Sequence, residues 1–460
     1  MSVAKNLHVI ILAAGRGTRM KTHKPKVMHT LAGQTLLAHV TETALKLGAV
    51  DVHVVIGHEA DKIRMAHPNL PVKWVIQEQQ LGTGHAVMQV MPLIPDDAQI
   101  LILSGDVPLV QLTTLEQMTR QMASLTLLVA RPKNTFGLGR IARNERQQIT
   151  AIIEEKDASI EQKLLPEIYT GICCVAAADL KKWLPQLSTN NASGEYYLTK
   201  IIEFAAQEAK NIASIEPKYL FETQGVNTLL ELQQLERKWQ VFIAKELLAQ
   251  GVQIMDVRRL DVRGQINCAS DVTIDVNVII EGEVVIGTGV EIGANCYLKN
   301  TIIGNGVKIK PNSHLDGSII GNNCEIGPFA RLRPGTKLEA NCKIGNFVEI
   351  KNSYLDESSK AMHLSYIGDA KIGRQVNIGC GTITCNYDGA NKYPTVIKNN
   401  AFIGSGTQLV APVVVGEGAF IAAGTTLRSD APANALTLAS TKQRSILGWK
   451  KKVKEQNPEL

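Results

Sequence analysis

From about Val272 onward, aliphatic residues recur every six positions. Ile274, Ile280, Ile286, Ile292 and Leu298 form one file, Ile320, Ile326, Leu332, Leu338, Ile344 and Ile350 a second, and Ile397, Ile403, Leu409, Val415, Ile421 and Leu427 a third. Val278, Val284, Val290 and Cys296 repeat four residues after members of the first file, and Gly follows many file members, as in Ile286-Gly287 and Ile403-Gly404. A period of six matches neither the 3.6 of a helix nor the 2 of an alternating strand. It matches a parallel β-helix of hexapeptide repeats, with three hexads per coil. One-residue slips fall near 299–303 and 316–320, and longer interruptions at 351–366 and 384–396. Interruptions in a solenoid map to loops on one face, which is where chemistry is to be sought.

Residues 1–228 have another texture, in which short apolar runs alternate with amphipathic stretches. The runs are Val9–Ala14, Val52–Gly57, Trp74–Gln77, Ile100–Ser104, Leu125–Ala130 and Ile172–Val175. Strands interleaved with helical patterns imply a Rossmann-like α/β fold, a mostly parallel sheet with helices on both faces and ligands beyond the C-terminal strand ends. Between the two zones, residues 229–250 carry Leu232, Leu235, Trp239 and Phe242 at helical spacing and stop at Gly251. This predicts a linker helix; over 228–250 it would be roughly 34 Å long. Residues 251–460 then form the β-helix domain with a C-terminal tail.

Composition narrows the function classes. The net charge of +6 is scattered apart from the terminal Lys450-Lys451-Lys452 and Lys454, and only 5% of residues are aromatic. That balance suits anionic small molecules rather than nucleic acid, which favours clustered cations and stacking rings. No apolar run reaches about 18 residues, and the first one meets Arg16 and Arg19 too soon for a secretory signal. No membrane partner and a cytoplasmic location are expected. The eight cysteines include no CxxC pair, and several occupy repeat-interior positions. They read as small buried hydrophobes in a reducing compartment.

The first run ends in "LAAGRGTRM", Leu12 to Met20. Glycines there let backbone N–H groups approach a phosphate. The dinucleotide fingerprint is excluded because position 20 is Met, and the P-loop because Gly-Lys-Ser/Thr is absent. Gly15 and Gly17 can cradle a polyphosphate that Arg19 and Lys26 neutralise. Asp106, at the end of "LSGD", stands at a C-terminal strand end, where one or two carboxylates and substrate phosphates suffice to hold Mg²⁺. "GTGHAV", Gly82 to Val87, can set backbone groups against a base edge.

In this order, "LAAGRGTRM", "KPKVMHTLAG", "QQLGTGHAV" and "LSGD" resemble the nucleotidyltransferase family that makes nucleotide-sugars. With the hexapeptide repeats, the whole chain resembles the bifunctional N-acetylglucosamine-1-phosphate uridyltransferase/glucosamine-1-phosphate acetyltransferase family. The resemblance implies that the phosphate of N-acetylglucosamine 1-phosphate attacks the α-phosphorus of UTP and releases pyrophosphate. It implies that Leu12, Ala13, Ala14, Gly15, Lys26, Gln77, Gly82 and Thr83 hold the nucleotide, with Ser104 and Gly105 beside Asp106. Asp106 and Asn227, in "GVN", would hold Mg²⁺. Gly139 in "GLGR" and Glu154 in "IEEKDA" would contact the sugar. One departure lies in "EIYTGI", where Tyr169 stands in place of the family's usual Asn at a sugar-binding position.

His363 lies at an interruption, in the company of Lys351, Lys360, Tyr366, Asn377, Asn386, Tyr387 and Lys392. A histidine, titrating near about 6.5, suits a general base that takes the proton of an attacking amine. The resemblance implies that His363 does this for glucosamine 1-phosphate, with acetyl-CoA as donor. Arg333 and Lys351 would bind the sugar phosphate, and Tyr366 and Asn377 the sugar. Asn386, Tyr387, Ser405 and Ala423 would line the acetyl-CoA groove, with an oxyanion stabilised by backbone N–H groups near Cys380. Cys380 replaces a common Ala, and Ser440 replaces an Arg that often meets the CoA phosphate, a part that Lys442 or Arg444 can take. The family's β-helix is left-handed and forms homotrimers. The competing reading is a single-function sugar-1-phosphate nucleotidyltransferase whose β-helix is only an oligomerising scaffold; "AMHLSY" and "TCNYDGANK" argue against it.

Overall fold

The computed structural model describes residues 6–439, 443 and 445–449. Ser440, Lys442 and Arg444 lie outside the described residues. The chain divides into two compact units, one of residues 1–246 with 261–264, the other of 247–260 with 265–460.

The first unit is built on a sheet in which Leu7–Leu12, Asp51–Ile56, Lys73–Ile76 and Gln99–Ser104 run parallel, with Lys73–Ile76 at the edge. The continuous apolar runs of Leu7–Leu12, Asp51–Ile56 and Gln99–Ser104 are explained by burial on both faces, whereas the edge strand Lys73–Ile76 is only partly buried. Ile10, Ile100 and Ile102 join one core, while Val9, Ile11, Leu101 and Leu103, one step along, join the core on the opposite face. Ile168–Ala176 is longer than the sequence reading gave and runs antiparallel to Gln99–Ser104 and Leu125–Ala130. It widens the sheet toward the short strands Arg140–Arg143 and Ile149–Ile153, which the apolar-run pattern did not mark.

The helix Leu229–Ala249 is about 32 Å long and packs along this unit. Leu235 joins Met20, Leu31, Leu36 and Leu109 in one core. Trp239 and Phe242 stack at 5.2 Å, with Phe221 beside both. Glu236 accepts the Ala32 N–H at 2.7 Å, and Gln240 exchanges two hydrogen bonds with the Val262 backbone.

The second unit is a left-handed parallel β-helix of hexapeptide repeats. On one face, Ile274, Ile292, Ile309, Ile326, Ile344, Ala361 and Ile378 stack coil on coil, each 17 or 18 residues after the last and all buried. Each large aliphatic among them contributes about 1.5–3 kcal/mol by leaving water. Asn295, Asn312, Asn341 and Asn400 take the left-handed conformation at corners, one that Asn tolerates better than other non-glycine residues.

The two interruptions read from the sequence fare differently. Residues 351–366 are not a loop, because Leu355, Ala361 and Ile367 continue the inward files. A five-residue step from Ile350 to Leu355 and the small Ala361 hid the register. Residues 384–396 do hold an insertion. The coil from Ile378 to Ile403 spans 25 residues, and Asn386–Tyr393 folds back as a turn closed by the Tyr387–Lys392 bridge and a Tyr393 N–H to Asn386 O bond of 2.9 Å.

All eight cysteines are free, with Cys173, Cys174, Cys296, Cys324 and Cys342 buried. No helix among the described residues is long and apolar enough to cross a membrane.

Candidate active sites

In the first unit, the loops that leave the parallel strands lie side by side at their C-terminal ends. Leu12 is in register with Val55 and Ser104, and its carbonyl accepts the Gly105 N–H at 2.9 Å. Ala13 donates to Val55 O at 2.8 Å. Ala13 and Ala14 are buried, whereas Gly15 is exposed with open space around it. Gly17 has φ +61, and a Cβ there would stand 2.7 Å from Lys26 Cβ. Gln77 is buried; its Nε2 donates to Gly82 O at 3.1 Å and lies 3.0 Å from His85 Nδ1. Gly82 has φ +109 and is crowded by Tyr196 O, so its backbone reaches a conformation and a proximity closed to other residues. Thr83 accepts the Leu198 N–H through Oγ1 at 3.1 Å.

Lys26, Asp106 and Asn227 converge. The Lys26 ammonium hydrogen-bonds Asp106 Oδ2 and also donates to Asn227 Oδ1 at 3.2 Å, and Arg19 donates to the same Asn227 oxygen at 2.8 Å. Ser104 Oγ donates to Asp106 Oδ1 at 2.5 Å, and Val226 N–H to Asp106 O at 2.9 Å. Asn227 is fixed by Glu231, which accepts the Asn227 and Thr228 N–H groups at 2.7 and 3.0 Å. One ammonium bridging a carboxylate oxygen and an amide oxygen shows that both aim at one cationic point. Hard oxygen donors of that kind suit a divalent cation of the Mg²⁺ class. The residues therefore fit the metal.

The residues expected to contact the sugar lie beside the strands Arg140–Arg143 and Ile149–Ile153 and within Ile168–Ala176. Gly171, at φ +84, lies against Ser104 in the register shift of the strand Ile168–Ala176. Gly139 O accepts the Tyr169 N–H at 2.9 Å, and a Cβ on Gly139 would stand 3.7 Å from Glu154 Oε2. Burial raises the Glu154 carboxyl above its ordinary range against the opposing bond from Thr199 Oγ1, 2.9 Å away. Tyr169 belongs to the core and is 9% exposed. Burial and the neighbouring Cys173 push its phenol well above its usual value.

In the β-helix, His363, Cys380, Ser405 and Ala423 occupy one corner of successive coils. Gly381 N–H reaches His363 O at 3.4 Å, Gly406 N–H donates to Cys380 O at 2.7 Å, and Gly424 N–H to Ser405 O at 2.8 Å. Asn346, in register one coil before His363, places Oδ1 2.9 Å from His363 Nδ1. An amide oxygen accepts only, so this assigns the hydrogen to Nδ1 and leaves Nε2 with a free lone pair on an exposed side chain.

The next face carries the anion-binding candidates. Arg333 donates to Glu349 at 2.8 Å, Glu349 is in register with Tyr366, and Lys351 lies 3.9 Å from Asp369. Tyr366 OH lies over Gly368, where a Cβ would stand 2.4 Å away. Asp369 also accepts Asn352 Nδ2 at 2.6 Å and hydrogen-bonds Asn386 Nδ2. Burial pushes the Asp369 carboxyl up, but these bonds and the Lys351 and Lys392 charges hold it below its ordinary value. Asn377 sits between Lys360 and Phe402 in the ladder that leads into the His363 corner.

The sequence reading missed Asn346, Asp369 and Glu231. Glu231 had a signal, the Thr-x-x-Glu capping pattern of Thr228. Asn346 becomes visible only when the 17-residue coil length is known.

Comparison with known proteins matches a MobA-like NTP transferase domain to residues 9–242, a GMPPB C-terminal domain to 262–338 and six repeats of the bacterial transferase hexapeptide to 394–429. A Bifunctional protein GlmU from Legionella pneumophila (strain Lens) is 53% identical over 98% of this chain and 99% of its own. One from Marinobacter nauticus is 50% identical over 97% of this chain and 98% of its own. With that identity across both units, and with a nucleotidyltransferase domain followed by hexapeptide repeats, the chain belongs to the GlmU family of bifunctional proteins.

Proposed function

We propose that the two activities of this bifunctional enzyme, a UDP-N-acetylglucosamine pyrophosphorylase and a glucosamine-1-phosphate N-acetyltransferase, are divided along the chain. Residues 1–228 carry uridylyl transfer, 229–250 link, and 251–460 carry acetyl transfer.

In the first reaction, a phosphate oxygen of N-acetylglucosamine 1-phosphate attacks the α-phosphorus of UTP, the bond to the β-phosphate oxygen breaks, and pyrophosphate leaves. Such a transfer needs alignment and charge neutralisation. The loop Leu12–Gly15, with Gln77, Gly82 and Thr83, holds the nucleotide. Lys26 and Arg19 neutralise the phosphates. Gly139, Glu154 and the region of Tyr169 receive the sugar. Asp106 and Asn227 hold Mg²⁺, which when bound draws charge from the phosphate oxygens. The observation that carries this reading is the convergence of Asp106 Oδ2 and Asn227 Oδ1 on the Lys26 ammonium.

In the second reaction, His363 Nε2 takes a proton as the amine of glucosamine 1-phosphate attacks the acetyl-CoA thioester. The carbon–sulfur bond breaks and CoA leaves. Arg333 and Lys351 bind the sugar phosphate, Tyr366 and Asn377 the sugar. Asn386, Tyr387, Ser405 and Ala423 receive acetyl-CoA, with Cys380 at the oxyanion. Stacked and exposed Phe329–Phe347 and Phe402–Phe420 pairs leave apolar surface that association of copies covers. A homotrimer in the cytoplasm, acting on these small molecules alone, is the assembly proposed.

The test is pyrophosphate release from UTP and N-acetylglucosamine 1-phosphate as Mg²⁺ is titrated. Asp106→Asn should raise the Mg²⁺ requirement and lower the rate while thiol release from acetyl-CoA continues. An unchanged Mg²⁺ dependence would remove Asp106 from the metal.

A further inference from the structure

At the other end of the central strands, away from the nucleotide loops, three ligating side chains meet on one sheet face. His8 is in register with Asp51, and His53 with Ile10, so all three alternate onto the side of the sheet that Ile10 and Val55 occupy. Their donor atoms lie within 4.8 Å of one another. His8 and His53 are 3% and 0% exposed, and their rings stack at 5.9 Å. Both His53 nitrogens and His8 Nδ1 are buried with no hydrogen-bond partner among the described residues. Three unsatisfied buried nitrogens in one spot cost a fold free energy unless something receives them.

The surroundings orient the pair. Asn6 donates Nδ2 to Asp97 at 2.9 Å, which fixes its Oδ1 as the atom facing His8 Nε2 at 3.2 Å. His8 Nε2 therefore carries the hydrogen and Nδ1 the lone pair, the arrangement in which an outer carbonyl sets the tautomer of a metal-binding histidine. Asp51 lies with Oδ2 3.8 Å from His8 Nδ1, and its partial exposure leaves an open edge for water. Burial keeps both imidazoles below their usual pKa, His53 at about 4, so their lone pairs are available at neutral pH.

We propose that His8, Asp51 and His53 form a binding site for a borderline divalent cation of the zinc class, a site separate from that of Asp106 and Asn227. Two imidazoles and one carboxylate with an open fourth position match zinc-class ions, whereas Mg²⁺ prefers oxygen donors alone. Tetrahedral coordination sets donors roughly 3.3 Å apart, so small side-chain rotations complete it. Lys73, 2.8 Å from Asp51 Oδ2 and largely exposed, is among the described residues the one lysine or arginine on that carboxylate, and it competes with the metal. The bound ion would clamp the strands Leu7–Leu12 and Asp51–Ile56 at their N-terminal ends and stabilise the first unit by mass action.

The test uses the full chain stripped with EDTA and titrated with Zn²⁺ alone, followed by thermal unfolding and calorimetry, and with Co²⁺, followed by its visible spectrum. Wild type should gain thermal stability with micromolar Zn²⁺ and give a cobalt spectrum without a thiolate charge-transfer band. Asp51→Asn and His53→Gln should each weaken binding by at least about tenfold, and Lys73→Ala should tighten it. Asp51→Asn disturbs only a partly exposed ion pair, so it reads the site even if His53→Gln fails to fold. Absence of a Zn²⁺ response in wild type, an equal response in Asp51→Asn, or a thiolate band from the free cysteines would overturn the proposal.

Discussion

Replacing Gly17 by Ala tests how tightly the phosphate loop depends on its backbone. Gly17 sits at φ +61 and ψ 32, where a Cβ costs about 1–2 kcal/mol. The added carbon would also stand 2.7 Å from Lys26 Cβ, about 1 Å inside ordinary carbon–carbon contact. Lys26 must move by about that much, away from Asp106 and Asn227. A displacement of 1 Å in a positioning group costs roughly 100-fold in rate. The strain alone should lower the melting temperature of the first unit by about 2–8 °C. Pyrophosphate release should therefore fall by about two orders of magnitude, and acetyl-CoA-dependent thiol release should persist. A Gly17→Ala protein with full pyrophosphate release would refute the claim that this loop fixes Lys26.

Three further predictions follow from other parts of the molecule. Asn346→Ala removes the acceptor that holds the hydrogen on His363 Nδ1, and should lower kcat for thiol release by about 10–100-fold with KM for glucosamine 1-phosphate little changed; an unchanged kcat would remove Asn346 from the site. Burial raises the Glu154 pKa above its ordinary 4.5, so the folded state holds that proton more tightly than the unfolded chain does. The associated stability is present below about pH 4.5 and is lost as pH rises through the folded-state value, so Glu154→Gln should gain on wild type in thermal melts as pH rises from 4.5 to 8; a gap independent of pH would contradict this. Leu332→Ala, in the filled interior of the β-helix, should destabilise the second unit by about 2–5 kcal/mol in denaturant unfolding, and a smaller loss would mean that the coil collapses around the cavity.

Legibility in the sequence followed periodicity. The β-helix was readable because inward positions demand aliphatics at fixed spacing, and Ile274 on Ile292 and Ile326 on Ile344 stack 18 residues apart as that spacing requires. It failed at 351–366, where a one-residue slip and the small Ala361 broke the hydrophobic count while the coil continued. In the first unit, the doubly buried strands announced themselves by apolar runs. Arg140–Arg143 and Ile149–Ile153 did not, because they mix buried and half-buried positions. At the candidate sites, motif residues such as Lys26 and Asp106 lie together, and with them Asn227, which pairs with Lys26 across 201 positions of chain. Partners that act only through the fold, such as Asn346 on His363 and Asp369 on Asn386, have no local pattern. The His8, Asp51 and His53 cluster was equally silent, since strand pairing alone assembles it.

The most direct test of the two-site account measures both reactions on His363→Ala beside wild type. Thiol release from acetyl-CoA with glucosamine 1-phosphate, and pyrophosphate release from UTP with N-acetylglucosamine 1-phosphate, are followed in parallel. The account predicts that the variant loses thiol release and keeps pyrophosphate release at the wild-type rate. Thiol release surviving in the variant, or both activities falling together in a folded protein, would contradict it.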